Sequence, residues 1–179
     1  MGLHEIALPK TASETEWVRG RPLRKTGGNF THAVLQCAFA AKLHAWAKDH
    51  GKVAVACRFR VAPAGEAFRP LLPDIAYVHA ERLRDLKGAD LDSPPLAPDV
   101  VAEILAPEDR RIDIDHKIDV YLRASSFLVI VVDPKRRVVE LHDANTSREI
   151  GEGAIIAHPA MPTFAYDVDL LFASTALPM

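Results

Sequence analysis

The chain has 179 residues, 49% hydrophobic and 26% charged, and a net charge of −2 from 22 Lys and Arg against 24 Asp and Glu. This is the size and balance of one globular domain with a buried core, and it excludes a strongly basic polyelectrolyte. Two cysteines, Cys37 and Cys57, exclude a disulfide scaffold and fit a reducing, cytoplasmic home. No apolar run nears the roughly 18 residues of a membrane span, and the first ten residues lack the pattern of a secretory leader, so no membrane partner is expected.

Residues 1–26 show no sustained period and read as an irregular N-terminal arm, with the domain proper at 27–175. Gly27-Gly28-Asn29 punctuates the chain, and Asn29 or Thr31 is suited to cap a helix. Residues 30–49 are helical in pattern. Leu35, Gln36, Phe39, Leu43 and Trp46 fall within about 60° of His32 on a helical wheel, forming one stripe. His50-Gly51 is a stop. Residues 52–61 alternate as a strand does, and 63–65 make a turn. Residues 71–78 (LLPDIAYV) read as the next strand, with Pro73 arguing for an edge or a bulge. Residues 81–92 are polar with a short helical look, and Pro94, Pro95 and Pro98 stiffen the loop that follows.

Residues 100–105 (VVAEIL) are the short apolar run of a strand buried on both faces. A helix is expected over 110–124 and a strand over 127–132. A turn at 133–136 and a returning strand over 137–142 complete a hairpin. A further strand over 149–159 and a closing segment over 163–172 end the domain. No repeat is visible. The order predicts an α/β fold, a central mixed β-sheet flanked by helices.

Glu103 is the most informative residue, an acid in the middle of an otherwise apolar strand. A carboxylate buried alone costs several kcal/mol, so such acids are paired, protonated or metal-bound. A salt bridge to Arg110 or Arg111 at the open end of the strand is the plain alternative. Asp74 opens its strand just after Pro73, where a turn aspartate is also common. Lys117 borders the sheet-facing stripe of its helix, and side chains there lean back toward the preceding strand; a snorkelling surface lysine is the alternative. Two carboxylates on neighbouring strands with one ammonium suit metal-assisted phosphodiester cleavage, because Mg2+ takes one or two carboxylates and several waters.

The blocks LLPDIAYV (71–78), DVVAEILAP (99–107), DHKIDVYLRA (115–124) and FLVIVVDP (127–134) carry a family resemblance. With GNFTH (28–32) and the stretch 158–172, they resemble in order the Uma-type family assigned to the restriction endonucleases, within the PD-(D/E)XK nuclease superfamily. The resemblance spans 27–172 and implies a restriction-endonuclease-like fold. It implies that Asp74 and Glu103 bind Mg2+ or Mn2+, and that Lys117 stands in for the usual lysine, whose place Leu105 occupies. His32 matches an auxiliary position on the first helix, against the alternative of a satisfied core histidine. The function implied is metal-dependent hydrolysis of DNA phosphodiester bonds, by a homodimer where both strands are cut. A non-catalytic binding or regulatory module on the same fold is the competing expectation, with RNA as a weaker substrate alternative. Ala106, Glu108 and Asp109 depart from the family pattern beside Glu103, and the closing segment lacks the usual glycine.

Asp99 in Pro98-Asp99 is a decoy, since it shares a strand with Glu103 and cannot face it. Asp109, Asp113, Asp115 and Asp119 read as a solvated face of the second helix. The basic clusters Arg19, Arg21, Arg24 and Lys25, Arg58 and Arg60, and Lys135 to Arg137 read as solvated turns. No Gly-x-Ser-x-Gly, P-loop, GxGxxG or zinc-type spacing is present.

Overall fold

The structure, a computed structural model, describes residues 15–25 and 28–176. In chain order, β1 (Thr15–Val18) and β2 (Arg21–Arg24) precede the helix α1 (Phe30–Ala47). Next come β3 (Gly51–Val55), β4 (Phe59–Val61), β5 (Arg69–Leu71) and β6 (Ile75–His79). Two single-turn helices, α2 (Ala80–Leu83) and α3 (Ala89–Asp92), lead to β7 (Val100–Ile104), and α4 (Arg111–Arg123) follows it. The chain ends with β8 (Leu128–Asp133), β9 (Val138–His142), β10 (Ser147–Ile150), β11 (Ile155–Ile156), β12 (Tyr166–Asp167) and α5 (Val168–Ala173).

Six strands form the central sheet in the order β10-β9-β8-β7-β6-β3. Only β7 and β8 run parallel, joined by the α4 crossover; the other neighbours are antiparallel. Parallel neighbours need such a crossover, and a strand with helices over both faces is apolar throughout. All five residues of β7 are accordingly buried, Glu103 among them.

Period-2 alternation divides the core in two. Val100, Ala102 and Ile104 point to a layer built with Leu35, Phe39 and Leu43 of α1 and Leu171 of α5. Val101 points the other way, into a layer with Ile114, Ile118 and Tyr121 of α4 and with Phe59 and Leu71. Glu103 shares that second side. Each fully buried aliphatic side chain adds about 1.5–3 kcal/mol, so the two layers clamp β7 from both sides. Gly51 opens β3 because a Cβ there would stand 2.2 Å from the Tyr77 ring on β6.

Four expectations are corrected. The arm expected to be irregular holds a hairpin: Arg19 (φ 52) and Gly20 (φ 74) form a two-residue turn with both residues left-handed, and Val18 pairs with Arg21. That geometry matches the right-handed twist of a tight hairpin, and Pro22 is tolerated because β2 pairs on one side only. Residues 1–14 of the arm lie outside the described residues. The strand expected over 52–61 breaks at Ala56 (φ 48), where the chain leaves the sheet so that β4 and β5 form a separate ribbon. The strand expected over 149–159 breaks at the turn around Gly153 (φ 74), and β11 pairs instead with β12. The strand expected over 71–78 is broken as well: Leu71 ends β5, the chain runs through Leu72–Asp74 outside any strand, and β6 starts at Ile75 between β3 and β7, so it is not an edge strand. Among the described residues no helix is long and apolar enough to cross a membrane.

Candidate active site

The antiparallel register of β6 on β7 sets Ile75 opposite Ala102, which brings Asp74 alongside Glu103 at the end of the sheet. Both acids are 3% exposed. Helix α1 grips Asp74 from its first two turns. Asn29 caps the helix by accepting from the His32 backbone N–H at 3.0 Å, and His32 Nε2 lies 3.3 Å from Asp74 Oδ2. One turn on, Gln36 donates to the Asp74 carbonyl at 2.8 Å. A Cβ at Gly28 would stand 2.2 Å from His32 Cγ, so glycine is what lets the imidazole sit there. The Ile104 backbone N–H donates to Asp74 Oδ2 at 2.7 Å, tying the carboxylate to the neighbouring strand.

Glu103 is held from the other layer. Lys117 Nζ lies 2.6 Å from its Oε1, and the Tyr121 hydroxyl donates to the same oxygen at 3.3 Å. Lys117 and Tyr121 are four residues apart on α4 and so face the same way. Two further residues come from the hairpin. Glu16 is buried, accepts from the Leu72 backbone N–H at 2.7 Å and lies 2.9 Å from Lys117 Nζ. Lys25 Nζ lies 2.7 Å from Asp74 Oδ1 and 3.4 Å from Glu103 Oε2, and donates to the Leu72 carbonyl at 2.6 Å. A cleft of about 270 Å3 opens over these groups, lined also by Arg21, Arg24 and Arg110.

The charges explain how so many ionisable groups share one buried place. Burial alone would raise the Asp74 carboxyl, but the bonds from His32, Lys25 and the Ile104 N–H overcome it and hold it well below the carboxylate range. Burial would likewise neutralise Lys117, yet Glu103 and Glu16 hold its ammonium above the usual lysine value. Burial pushes the Glu103 carboxyl up, against the pull of Lys117 and Lys25. Burial and the neighbouring Glu103 also raise the Tyr121 hydroxyl, which therefore stays protonated and donates.

Asp74 and the buried Glu140, whose carboxyl Arg111 and His142 hold down against burial, set an acid limit on the fold. Both carboxyls are lower in the folded chain than in the unfolded one, where the values lie near 4. Their contribution is complete above about pH 5 and drains away as pH falls through the unfolded values toward the folded ones. The urea midpoint is expected to drop steeply below about pH 4, and Asp74→Asn to flatten that drop.

The structure brings all four expected site residues together: Asp74, Glu103, Lys117 and His32 line one cleft. Neither alternative partner of Glu103 is used. Arg111 instead pairs with Glu140 and Asp115. Asp99 sits at the opposite end of β7, where it holds Arg82 at 2.6 Å and accepts from the His79 N–H at 2.7 Å. Asp113 departs from the expected solvated face: it is 4% exposed and pairs with Arg19 and Arg21 of the hairpin. Glu16, Lys25 and Tyr121 escape the sequence reading. The Arg19-Gly20 pair was the one local signal for the hairpin that carries the first two.

Among the described residues no three or more His, Cys, Asp or Glu side chains stand arranged to hold a metal ion. The donor set fits a hard cation in another respect. Two carboxylate oxygens from adjacent strands already share one ammonium, a stand-in cation, and Mg2+ and Mn2+ favour oxygen donors completed by water.

A mixed sheet with a parallel β7–β8 pair, flanked by helices, with two acids at the strand ends and a lysine from α4 over them, defines a restriction-endonuclease-like protein. A family model described as "Uma2: Putative restriction endonuclease" matches residues 4–169, and the chain belongs to that family. Its fold is also that of a crystal structure from Anabaena variabilis described as "a putative nuclease belonging to DUF820". That chain is similar at a TM-score of 0.82 and 19% identity, over 93% of this chain and 94% of that one. No curated protein matches.

Proposed function

We propose that the protein is a metal-dependent endonuclease hydrolysing DNA phosphodiester bonds, with Asp74 and Glu103 holding Mg2+ or Mn2+. The observation that carries this reading is the meeting of Asp74 Oδ1 and Glu103 Oε2 on one cation, with Lys117 on the other oxygen of Glu103. A bound divalent cation supplies Lewis acidity at the phosphate and a lowered pKa for attacking water.

The chain's own groups do the rest. His32 and the Ile104 N–H fix the orientation of Asp74, and Tyr121 fixes that of Glu103. Lys117 presents a permanent positive charge at the cleft, placed to offset negative charge that builds on the phosphate during cleavage. The cleft shares Ala106 and Asp109 with a second groove of about 480 Å3 that runs past Asn29, Thr31 and Lys135. Two acids along this route accept backbone N–H groups, Asp109 from Ala106 and Asp133 from Lys135 and Arg136. Arg24, Arg110 and Lys135 line the same route and offer local positive charge to phosphates in a chain of net charge −2. A two-fold pair of protomers suits cutting of both strands.

The test is incubation of the purified protein with supercoiled plasmid in Mg2+ or Mn2+, with and without chelator. Nicking that needs the metal is expected. Intact DNA together with no metal uptake by calorimetry would leave the non-catalytic module as the correct reading.

A further inference from the structure

The most unexpected group in the site is Lys25. Its ammonium has three N–H donors, and three acceptors surround it: Asp74 Oδ1, Glu103 Oε2 and the Leu72 carbonyl. Asp74 Oδ2 and Glu103 Oε1 are engaged elsewhere, by Ile104 and His32 and by Lys117 and Tyr121. Among the described residues, Lys25 is the one partner of Asp74 Oδ1 and Glu103 Oε2. Those are one oxygen from each strand, the pair that a cation bridging the two acids would use.

We propose that Lys25 is a built-in occupant of the metal seat, so that the divalent ion enters by displacing it. The inference rests on the reading of Asp74 and Glu103 as metal ligands. Charge counting supports it. Counted as ionised, Glu16, Asp74 and Glu103 supply three negative charges, and Lys25 and Lys117 supply two positive ones. A divalent ion added beside both lysines leaves the buried site net positive. A divalent ion that replaces Lys25 leaves it neutral, and buried charge is tolerated best when balanced.

Geometry selects Lys25 over Lys117 as the one to leave. The Lys117 side chain is 4% exposed and is held by two carboxylates from a helix in the core layer. The Lys25 side chain is 21% exposed, stands just beyond the end of β2 and lines the cleft. Its four-carbon stem lets the ammonium swing clear without moving the sheet. The exchange costs metal affinity, because each ion bound must break the three contacts of Lys25. The hairpin thereby tunes how much free metal the site requires.

Two measurements test this. In calorimetric titration with Mn2+, Lys25→Met is expected to bind about tenfold or more tightly than the wild-type chain, since one competing charge is gone. Lys25→Gln, which keeps a donor for the Leu72 carbonyl, serves if Lys25→Met fails to fold. The second measurement uses the wild-type chain alone. Amine acylation read at Lys25 by peptide mass spectrometry is expected to rise several-fold when Mn2+ is added, as the ammonium leaves its acceptors for solvent. Equal or weaker Mn2+ affinity in the variants, or labelling of Lys25 that Mn2+ leaves unchanged, overturns the displacement while sparing the metal reading. Mn2+ uptake by neither the wild-type chain nor the variants overturns both.

Discussion

Asp74→Asn and Glu103→Gln are each expected to lower metal-dependent cleavage by at least about 100-fold, the scale on which loss of one charge-stabilising group reduces kcat. Amides are the informative replacements. Asn at position 74 keeps an oxygen for the Ile104 N–H, and Gln at position 103 keeps one for Lys117, so shape and most hydrogen bonds survive while one negative charge is lost. Alanine would instead strand buried donors and confuse misfolding with loss of chemistry. Plasmid nicking measures the rate, Mn2+ calorimetry measures the site, and a thermal melt checks the fold. Nicking that survives either amide, with the fold intact, would remove the carboxylate pair from the mechanism.

Lys117→Met is expected to be the most destabilising single change in the site. It leaves Glu103 and Glu16, both buried where they line the cleft, without the ammonium they share, and breaking a buried pair by removing one partner costs about 3–5 kcal/mol. Urea unfolding reads the loss. Adding Glu16→Gln should recover a large part of it, because the surviving acid no longer meets a second unpaired one; such non-additivity is the mark of groups in direct contact. Cleavage is expected to stay lost in the double variant, since the charge offered to the phosphate is still missing. Recovery of stability together with activity would show that Lys117 serves folding alone.

Much of the site was legible because it lies on elements whose local pattern is strong. The stripe on α1 pointed His32 and Gln36 inward, the apolar run of β7 made Glu103 conspicuous, and the wheel of α4 turned Lys117 toward the sheet. The hairpin was missed for a physical reason. β1 buries Thr15 and Glu16 beside Val18, so its buried residues are mostly polar and hide the alternation, and Arg in place of Asn or Asp before Gly20 weakens the turn signal. Asp113 was misplaced because its partners, Arg19 and Arg21, lie more than ninety positions away on that same hairpin.

The sequence by itself determined the layered α/β plan, the burial of Glu103 and the inward faces of both long helices. Periodicity and propensity act within one element, and those features need nothing beyond it. Tertiary structure alone decided which charges meet. Lys25 and Glu103 are 78 residues apart, and Lys117 and Glu16 are 101 apart. Their balance depends on how the hairpin, the ends of β6 and β7 and α4 dock together, because the energy of a buried ion pair depends on distance and on the exclusion of water, which no single segment can specify.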